Sequence, residues 1–392
     1  MDGTRSVFQT KEYIVNNNIN NVQIPSQSIA ANRLRRTGVV LASILLLLLA
    51  APALIAQALG VPSFLPSPIQ IVSTVPANGD VNPYGVAFVP LTFSSGVLDP
   101  GDILVSNFNN SQNLQGTGTT IVRVRPNGQV TLFFTAQASQ QGLSTALGIV
   151  KEGFVIVGNF PSPDGTCQSA GNGNLLVINN VGQQIQTITD ETYINGPWDM
   201  AVFDFGGGRI DAFVTNGLSG NVTRFNLMVS GGNLIVQSKT TIASGYLHQC
   251  DPVTFVDAPT GLVYNPTTDI LYVASSVDNA VFAVSNASTR NTDAGTGQII
   301  YQDQTHLHGA LAMAAAPNGH LLVSNNDAIN PDPNQPSEIV EFTITGQFVK
   351  QISMDPNQGG SFGLNVQTSG LTARFAAVDD NQNDLNVWTL PN

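Results

Sequence analysis

Three of the four histidines lie in polar stretches of the sequence and could bind a metal ion together. One residue separates His306 from His308 just before a predicted strand, and His248 lies in an earlier loop. Imidazole nitrogens are preferred zinc ligands, so these side chains are candidates for a zinc site. Their spacing matches no established ligand pattern, and the alternative is that they are polar loop histidines.

Carboxylates in two further stretches could add acid–base or metal chemistry. Asp199 follows a tryptophan at the start of a predicted strand, and Asp379 and Asp380 follow an apolar strand. A carboxylate can hold a metal ion or transfer a proton to a substrate. The candidates for catalysis are Asp199, His308 and Asp380. The candidates for metal binding are His248, His306, His308, Asp199, Asp379 and Asp380.

The elements that must position these residues form a repeat. An apolar strand that ends on valine and small polar residues occurs six times, for example in DILVSNFNN, FVIVGNF and LLVSNN. The six valines are spaced 50 to 59 residues apart; they are Val105, Val157, Val214, Val273, Val323 and Val378. Recurrence at such a period is typical of a repeat architecture.

Each copy contains the strands of one propeller blade. A short apolar strand precedes the valine strand, and an alternating third strand and, in most copies, a fourth follow it. Four short antiparallel strands joined by Gly, Asn and Pro turns form a blade. The sequence therefore predicts an all-β, six-bladed β-propeller, with a β-sandwich array as the alternative. The expected blades are residues 80–134, 143–190, 196–242, 258–302, 307–354 and 361–391.

The sixth copy ends after its third strand. We expect Ile69–Val75, at the start of the domain 59–392, to supply the missing strand by pairing with Leu385–Leu390. This pairing would close the ring and remove an exposed sheet edge.

The copies resemble NHL repeats, most clearly in PNGHLLVSNN (Pro317–Asn326) and in PTGLVYNPTTDILYVASSVDNAVFAV, which begins at Pro259. The resemblance covers about Ile69–Asn392 and extends to the gluconolactonase-like and strictosidine-synthase-like six-bladed propellers. It implies calcium or zinc as candidate cofactors, because gluconolactonase-like relatives hold a divalent metal with an acid and asparagines at the channel mouth. Some NHL-type lyases hold zinc with histidines there. This chain departs from the gluconolactonase-like pattern in its central carboxylates.

In a propeller, the starts of the innermost strands meet around the central channel on one face, which we call the loop face. The residues expected there are Tyr84, Leu147, Trp198, Thr260, His308 and Phe362. An aromatic-lined mouth suits a small ligand, so Tyr84, Trp198, Thr260, His308 and Phe362 are candidate binding residues. The alternative is that the rings plug the channel.

Asparagines that follow the valine strands should also reach the loop face. They are Asn107, Asn159, Asn216 and Asn325. Their oxygens could bind a ligand or calcium. The alternative is that each asparagine caps its own turn.

The two cysteines, Cys167 and Cys250, lie in loops that should share the loop face. An even cysteine count in an exported chain favours a disulfide, and we expect these two residues to pair.

The N-terminal region indicates export. Residues 1–32 are polar and are expected to form a disordered extension. Arginines, an apolar run and the Ala56-Gln57-Ala58 pattern make residues 33–58 a predicted signal peptide that is cleaved after Ala58. The alternative is an uncleaved membrane anchor formed by residues 37–58. In both cases the domain would be extracytoplasmic, either secreted or periplasmic.

Composition excludes one class of partner. The chain has a net charge of −12 and only 10% charged residues, without a basic patch beyond the N-terminal arginines, which argues against nucleic-acid binding. We expect a monomer that contacts a membrane only through an uncleaved anchor. The leading hypothesis is an exported binding or scaffold module for a small molecule, glycan, peptide or protein on the loop face. The alternative is a metal-dependent lactonase-type hydrolase, or a lyase, at the channel mouth.

Overall fold

The computed structural model describes residues 68–94, 96–332 and 338–391. The expected N-terminal extension and the signal or anchor segment lie outside the described residues. Strands dominate the described chain, with two short 3₁₀ turns at Ala138–Gln140 and Cys167–Ser169. No helix in these ranges is long and apolar enough to cross a membrane.

The strands form six four-stranded sheets. The first strand, β1 (Gln70–Ser73), belongs to the last sheet. Blade one contains β2 (Val81–Phe88), β3 (Ile103–Asn109), β4 (Thr120–Val124) and β5 (Val130–Thr135). Blade two contains β6 (Leu143–Val150), β7 (Phe154–Asn159), β8 (Asn174–Asn179) and β9 (Gln184–Ile188). Blade three contains β10 (Pro197–Gly206), β11 (Arg209–Asn216), β12 (Asn221–Ser230) and β13 (Asn233–Ser244).

A small hairpin, β14 (Gln249–Asp251) and β15 (Phe255–Asp257), connects blades three and four. Blade four contains β16 (Pro259–Asn265), β17 (Ile270–Ser275), β18 (Ala280–Ser285) and β19 (Gln298–Gln302). Blade five contains β20 (Ala310–Ala315), β21 (Leu321–Asn325), β22 (Glu338–Phe342) and β23 (Phe348–Ser353). Blade six contains β24 (Ser361–Ser369), β25 (Thr372–Asp379), β26 (Asp384–Pro391) and β1.

The six sheets form a ring, which confirms the predicted six-bladed propeller. Each innermost strand contacts the innermost strands of the two adjacent blades, and β24 contacts β2. In blade six, β1 pairs antiparallel with β26, from Gln70 opposite Val387 to Ser73 opposite Asp384.

Burial explains why the second strands are apolar throughout. Every residue of β3, β7 and β21 is buried, because neighbouring blades cover both faces of these strands. The outer strand β9 instead alternates between partly buried and exposed residues up to its last position. Apolar cores therefore lie between adjacent blades.

Each innermost strand contains a register shift at an equivalent position. In blade three it falls between Pro197 and Met200, and the other five innermost strands shift in the same way. Such bulges redirect the side chains within them. Because of these shifts, two of the residues expected at the channel do not occupy positions equivalent to the others. Leu147 pairs with Val157 after the bulge, and His308 lies two residues before β20 begins.

Buried hydroxyl groups link consecutive blades around the ring. We call this set the hydroxyl belt; it consists of Ser106, Ser144, Thr215, Thr260 and Ser324. Thr215 Oγ1 accepts a hydrogen bond from Asp199 N of its own blade at 2.9 Å and donates to Thr260 O of blade four at 3.0 Å. The other four also donate to backbone carbonyls of the following blade. The belt therefore holds the innermost strands in register with their neighbours.

Candidate functional site

An aromatic cluster closes the channel at the loop face. We call it the aromatic plug; its members are Tyr84, Phe108, Phe160, Trp198, Phe255 and Phe362. Tyr84 stacks on Phe362 with ring centroids 4.6 Å apart and on Phe108 at 4.8 Å. The edge of Trp198 packs against Phe108 at 5.3 Å.

Burial of these rings favours the plug over an open aromatic mouth. Tyr84 and Trp198 are each 1% exposed, and Thr260 of the hydroxyl belt is equally buried. Burial raises the pKa of the Tyr84 hydroxyl well above its usual range, with a smaller contribution from Asp380. Sequence reasoning missed Phe108, Phe160 and Phe255, although the first two directly follow the predicted asparagines in VSNF and VGNF.

The four predicted asparagines hydrogen-bond to the chain segment that precedes the innermost strand of their own blade. Asn216 Nδ2 donates to Tyr193 O at 3.2 Å, and Asn216 Oδ1 accepts from Asn195 N at 2.8 Å. Asn325 makes the same pair of contacts with His306 O and His308 N. Asn107 and Asn159 likewise donate to backbone carbonyls before their own innermost strands. These amides therefore hold a segment that lies 18 to 33 residues earlier in the chain, which differs from the interpretation that each asparagine caps its own turn.

The structure does not gather the three histidines around a common point. His248 Nδ1 donates to Tyr246 O, and His306 stacks on Phe348 while its Nδ1 bonds to Asp303 Oδ2 at 2.5 Å. His308 is 3% exposed, and its Nδ1 donates to Asn330 O. Within the described ranges, no group of three His, Cys, Asp or Glu side chains could hold a metal ion. The candidate histidines and carboxylates therefore do not form a three-ligand site of these residue types.

Two of the predicted carboxylates lie at the loop-face end of blade six. Burial, together with the nearby carboxylates of Asp355 and Asp384, raises the pKa of Asp379 to about 7. Burial alone raises the pKa of Asp380 to about 7. Asp379 Oδ1 accepts a hydrogen bond from Asn381 N at 3.0 Å, so this carboxyl group also serves a turn.

A serine-hydrolase pattern in blade six belongs to the sheet. Gly359–Gly363 reads G-G-S-F-G, which matches the G-x-S-x-G pattern of serine hydrolases. In those enzymes the serine is exposed on a sharp turn between a strand and a helix. Ser361 instead begins strand β24 and is fully buried. Its environment does not match that of a nucleophile.

The channel below the plug is the cavity that a small molecule could fill. Its wide part has a volume of about 290 Å³ and is lined by the ends of the innermost strands, including Phe88, Ile149, Phe203, Tyr264 and Ala315. These residues are at the opposite ends of their strands from the plug. The channel thus opens on the face opposite the loop face, which we call the hairpin face.

Asp199 lies at the narrow, inner end of this channel. There the cavity shrinks to about 60 Å³, bounded by Asp199, Thr145, Ala312 and Gly363. Asp199 Oδ1 accepts from Met200 N at 2.6 Å, and Oδ2 accepts from Leu262 N of blade four at 3.3 Å. Burial raises the pKa of Asp199 to about 8, although these two N–H groups oppose the shift. At neutral pH this group is therefore mainly a protonated acid that can donate a hydrogen bond.

A disulfide covers the plug from the loop face. Cys167, in the loop after β7, is bonded to Cys250 in β14, which confirms the predicted pair. Both cysteines pack against the plug's aromatic cluster. Disulfides of this kind are typical of proteins in oxidising, extracytoplasmic compartments.

Comparisons with known proteins bear on the fold. No protein-family model and no curated protein matches the chain. Among solved structures, a gluconolactonase from Xanthomonas campestris is 13% identical, with 84% of this chain and 96% of that chain covered and a TM-score of 0.51. A second solved protein assigned as a gluconolactonase is 12% identical, with 84% and 95% covered and a TM-score of 0.51. At such identities, the likeness and the six sheets together establish the fold alone, a six-bladed β-propeller.

Proposed function

We propose that the protein binds a small organic molecule in its central channel, which the ligand enters from the hairpin face. The observation that carries this proposal is a blind cavity of about 290 Å³ that ends at the buried acid Asp199. Small-molecule sites are typically concave pockets of roughly this size that contain a few placed polar groups, and backbone groups add polar surface to this one. The loop face is a weaker candidate for a small ligand, because its rings are packed together.

The channel walls favour an uncharged ligand with an acceptor group. Apolar side chains such as Leu147, Met200 and Met313 line the passage. The innermost strands form sheet edges, so backbone groups also border it. Since the Asp199 carboxyl is protonated at neutral pH, it would donate a hydrogen bond to a carbonyl, ether or hydroxyl oxygen of the ligand.

A channel-blocking variant tests this proposal. Ala315 is exposed and lines the channel, so Ala315→Trp should narrow the opening without disturbing the core. The probes are δ-gluconolactone, δ-valerolactone and γ-butyrolactone in saturation-transfer NMR. We expect transfer to at least one probe, lost in Ala315→Trp and kept in Ala77→Trp, an exposed control on the loop face. Equal transfer in both variants, or none in the unmodified protein, would overturn it.

A second candidate is hydrolysis of a lactone or ester in the same channel. The two structures that match at a TM-score of 0.51 are both named as gluconolactonases, which favours this activity over binding alone. Asp199 would act as a general acid, giving its proton to the leaving ring oxygen while water adds to the carbonyl carbon. The product is the open hydroxy acid, and water restores the proton.

Turnover distinguishes the two candidates. For a hydrolase, acid release in a pH-stat should fall about 100-fold or more in Asp199→Asn. The step proposed for Asp199 uses no metal ion, so EDTA should leave the rate unchanged. Binding without acid release would favour the binding module, whereas loss of the rate in EDTA would favour the metal-dependent enzyme.

We propose further that the propeller is exported. The Cys167–Cys250 disulfide supports an oxidising location, and the basic and apolar residues of 33–58 support a cleaved signal. N-terminal sequencing of the mature protein should begin at Leu59. An intact N-terminus in the membrane fraction would favour the anchor instead.

A further inference from the structure

A second cavity lies between blades three and four, beside the channel opening. Its volume is about 320 Å³, and its walls include Phe205, Arg209, Asp211, Tyr264 and Asp269. Tyr264 borders both this cavity and the channel. We call it the interblade pocket.

One wall of the interblade pocket presents acceptors that are held in place. Asp211 accepts from Asn226 Nδ2 at 2.6 Å and from Ser288 Oγ of blade four at 2.5 Å. Asp269 accepts from Ser288 N at 2.7 Å and from the Tyr264 hydroxyl at 3.0 Å. Asp269 also accepts from the Thr289 hydroxyl at 2.8 Å. A carboxylate offers about four lone-pair sites, so Asp211 and, to a smaller extent, Asp269 keep acceptor capacity toward a ligand.

The other wall presents a positioned donor. The Arg209 guanidinium lies over the Phe205 ring at 4.3 Å from its centroid, and Phe205 packs edge-on against Phe203 at 4.8 Å. Among the residues that the structure describes, no side chain forms a salt bridge or hydrogen bond with Arg209. Stacking thus fixes the plane of a group with five N–H donors.

Charges of both signs surround the pocket. Two carboxylates, Asp211 and Asp269, line it together with the Arg209 guanidinium. Arg224 is buried and is in electrostatic contact with both acids and with Arg290. The two carboxylates would repel an anionic ligand, and the arginines would repel a cationic ligand. A neutral ligand that both donates and accepts hydrogen bonds suits this arrangement.

We propose that the interblade pocket binds a neutral polyhydroxylated molecule such as a sugar ring. Its hydroxyl groups would donate to Asp211 and Asp269 and accept from Arg209, while Tyr264 and Pro266 contact its apolar C–H surface. The proposal does not depend on a ligand in the central channel.

Sugar titrations of the full-length protein test the proposal. The probes are D-glucose, D-galactose and D-mannose, with D-glucuronate as the charged counterpart of glucose, followed by saturation-transfer NMR. We expect at least one neutral sugar to bind and glucuronate to bind at least about threefold more weakly than glucose, because of the two carboxylates. Arg209→Gln should weaken the neutral sugar about tenfold.

Controls separate the pocket from the channel and from the fold. Arg125→Gln removes another arginine on the hairpin face, in blade one, and should leave sugar binding unchanged. Ala315→Trp should block lactone probes without affecting the sugar, whereas Arg209→Gln should do the reverse. Phe205→Leu retains the arginine but removes its stacking partner, and should weaken the sugar to a smaller extent.

Three outcomes would overturn the proposal. One is that none of the neutral sugars binds. Another is that glucuronate binds more tightly than glucose, which would make Arg209 an anion site. The third is equal sugar affinity in Arg209→Gln and Arg125→Gln with both variants folded.

Discussion

The carboxylate of Asp199 in blade three accepts a hydrogen bond from the backbone N–H of Leu262 in blade four, at 3.3 Å. The same side chain accepts from its neighbour Met200 N and faces the inner end of the channel. One acid therefore joins two blades and lines the inner end of the cavity.

This position makes stability depend on pH. The folded-state pKa of Asp199 is raised to about 8 from an ordinary value of 3.8, so the folded state binds the proton more tightly. Its contribution is fully present below about pH 4 and is lost as the pH rises toward 8. The free energy of unfolding should therefore fall less steeply between about pH 4 and 8 in Asp199→Asn than in the unmodified protein. The difference in slope should be up to about 1.4 kcal/mol per pH unit.

Urea unfolding at several pH values measures this effect. Burial raises the pKa of Glu338 to about 8, so Glu338 adds to the same pH slope. Its contribution to the slope should remain in Asp199→Asn. An unchanged slope in Asp199→Asn would mean that Asp199 is ionised in the folded protein at neutral pH.

Removal of one hydroxyl from the belt should loosen the ring between blades three and four. Thr215→Val keeps the side-chain shape but leaves Asp199 N and Thr260 O without their shared partner. Unpaired buried groups of this kind cost about 1–3 kcal/mol each. The exposed Thr131→Val in β5 is the matched control and should change stability by less than about 0.5 kcal/mol. Similar midpoints for the two variants in urea would contradict a structural role for the belt.

The disulfide should contribute strongly to stability. It closes a loop with a sequence separation of 83 residues, for which the chain-entropy model gives about 4.5 kcal/mol. The double variant Cys167→Ser with Cys250→Ser should therefore melt at a lower temperature than the oxidised protein. Dithiothreitol should lower the melting temperature of the unmodified protein and leave that of the double variant unchanged. If reductant has no effect on either, the cysteines are not paired in the purified protein.

The aromatic plug should shield Trp198 from solvent. Trp198 is 1% exposed and Trp388 is 4% exposed, so iodide should quench the tryptophan emission only weakly. Phe108→Leu removes a ring that contacts Trp198 and should increase quenching. Phe133→Leu, a buried substitution outside the plug, should not. Strong quenching in the unmodified protein would restore the open aromatic mouth on the loop face.

Much of the architecture could be predicted because its signals are local. Six copies of an apolar strand ending on valine and small polar residues are visible in the sequence, since each second strand is buried between two blades. The same alternation of strands places the loops of Cys167 and Cys250 on one face, and the structure joins these residues. The partners of the asparagines are not local in this sense, because they are backbone groups 18 to 33 residues earlier in the chain.

Only the tertiary structure decided where the cavity opens. A bulge lies between Pro197 and Met200, and the other five innermost strands have counterparts. These bulges depend on contacts across the ring. They shift the channel residues away from the positions expected from counting along an unbroken strand. The plug needs Phe108 from β3, Phe160 directly after β7 and Phe255 from β15, so no local pattern reveals that Tyr84 and Trp198 are buried. Asp199 likewise becomes a protonated acid because distant blades desolvate it. Burial is a property of the assembled ring, and the sequence shows only the strands that form it.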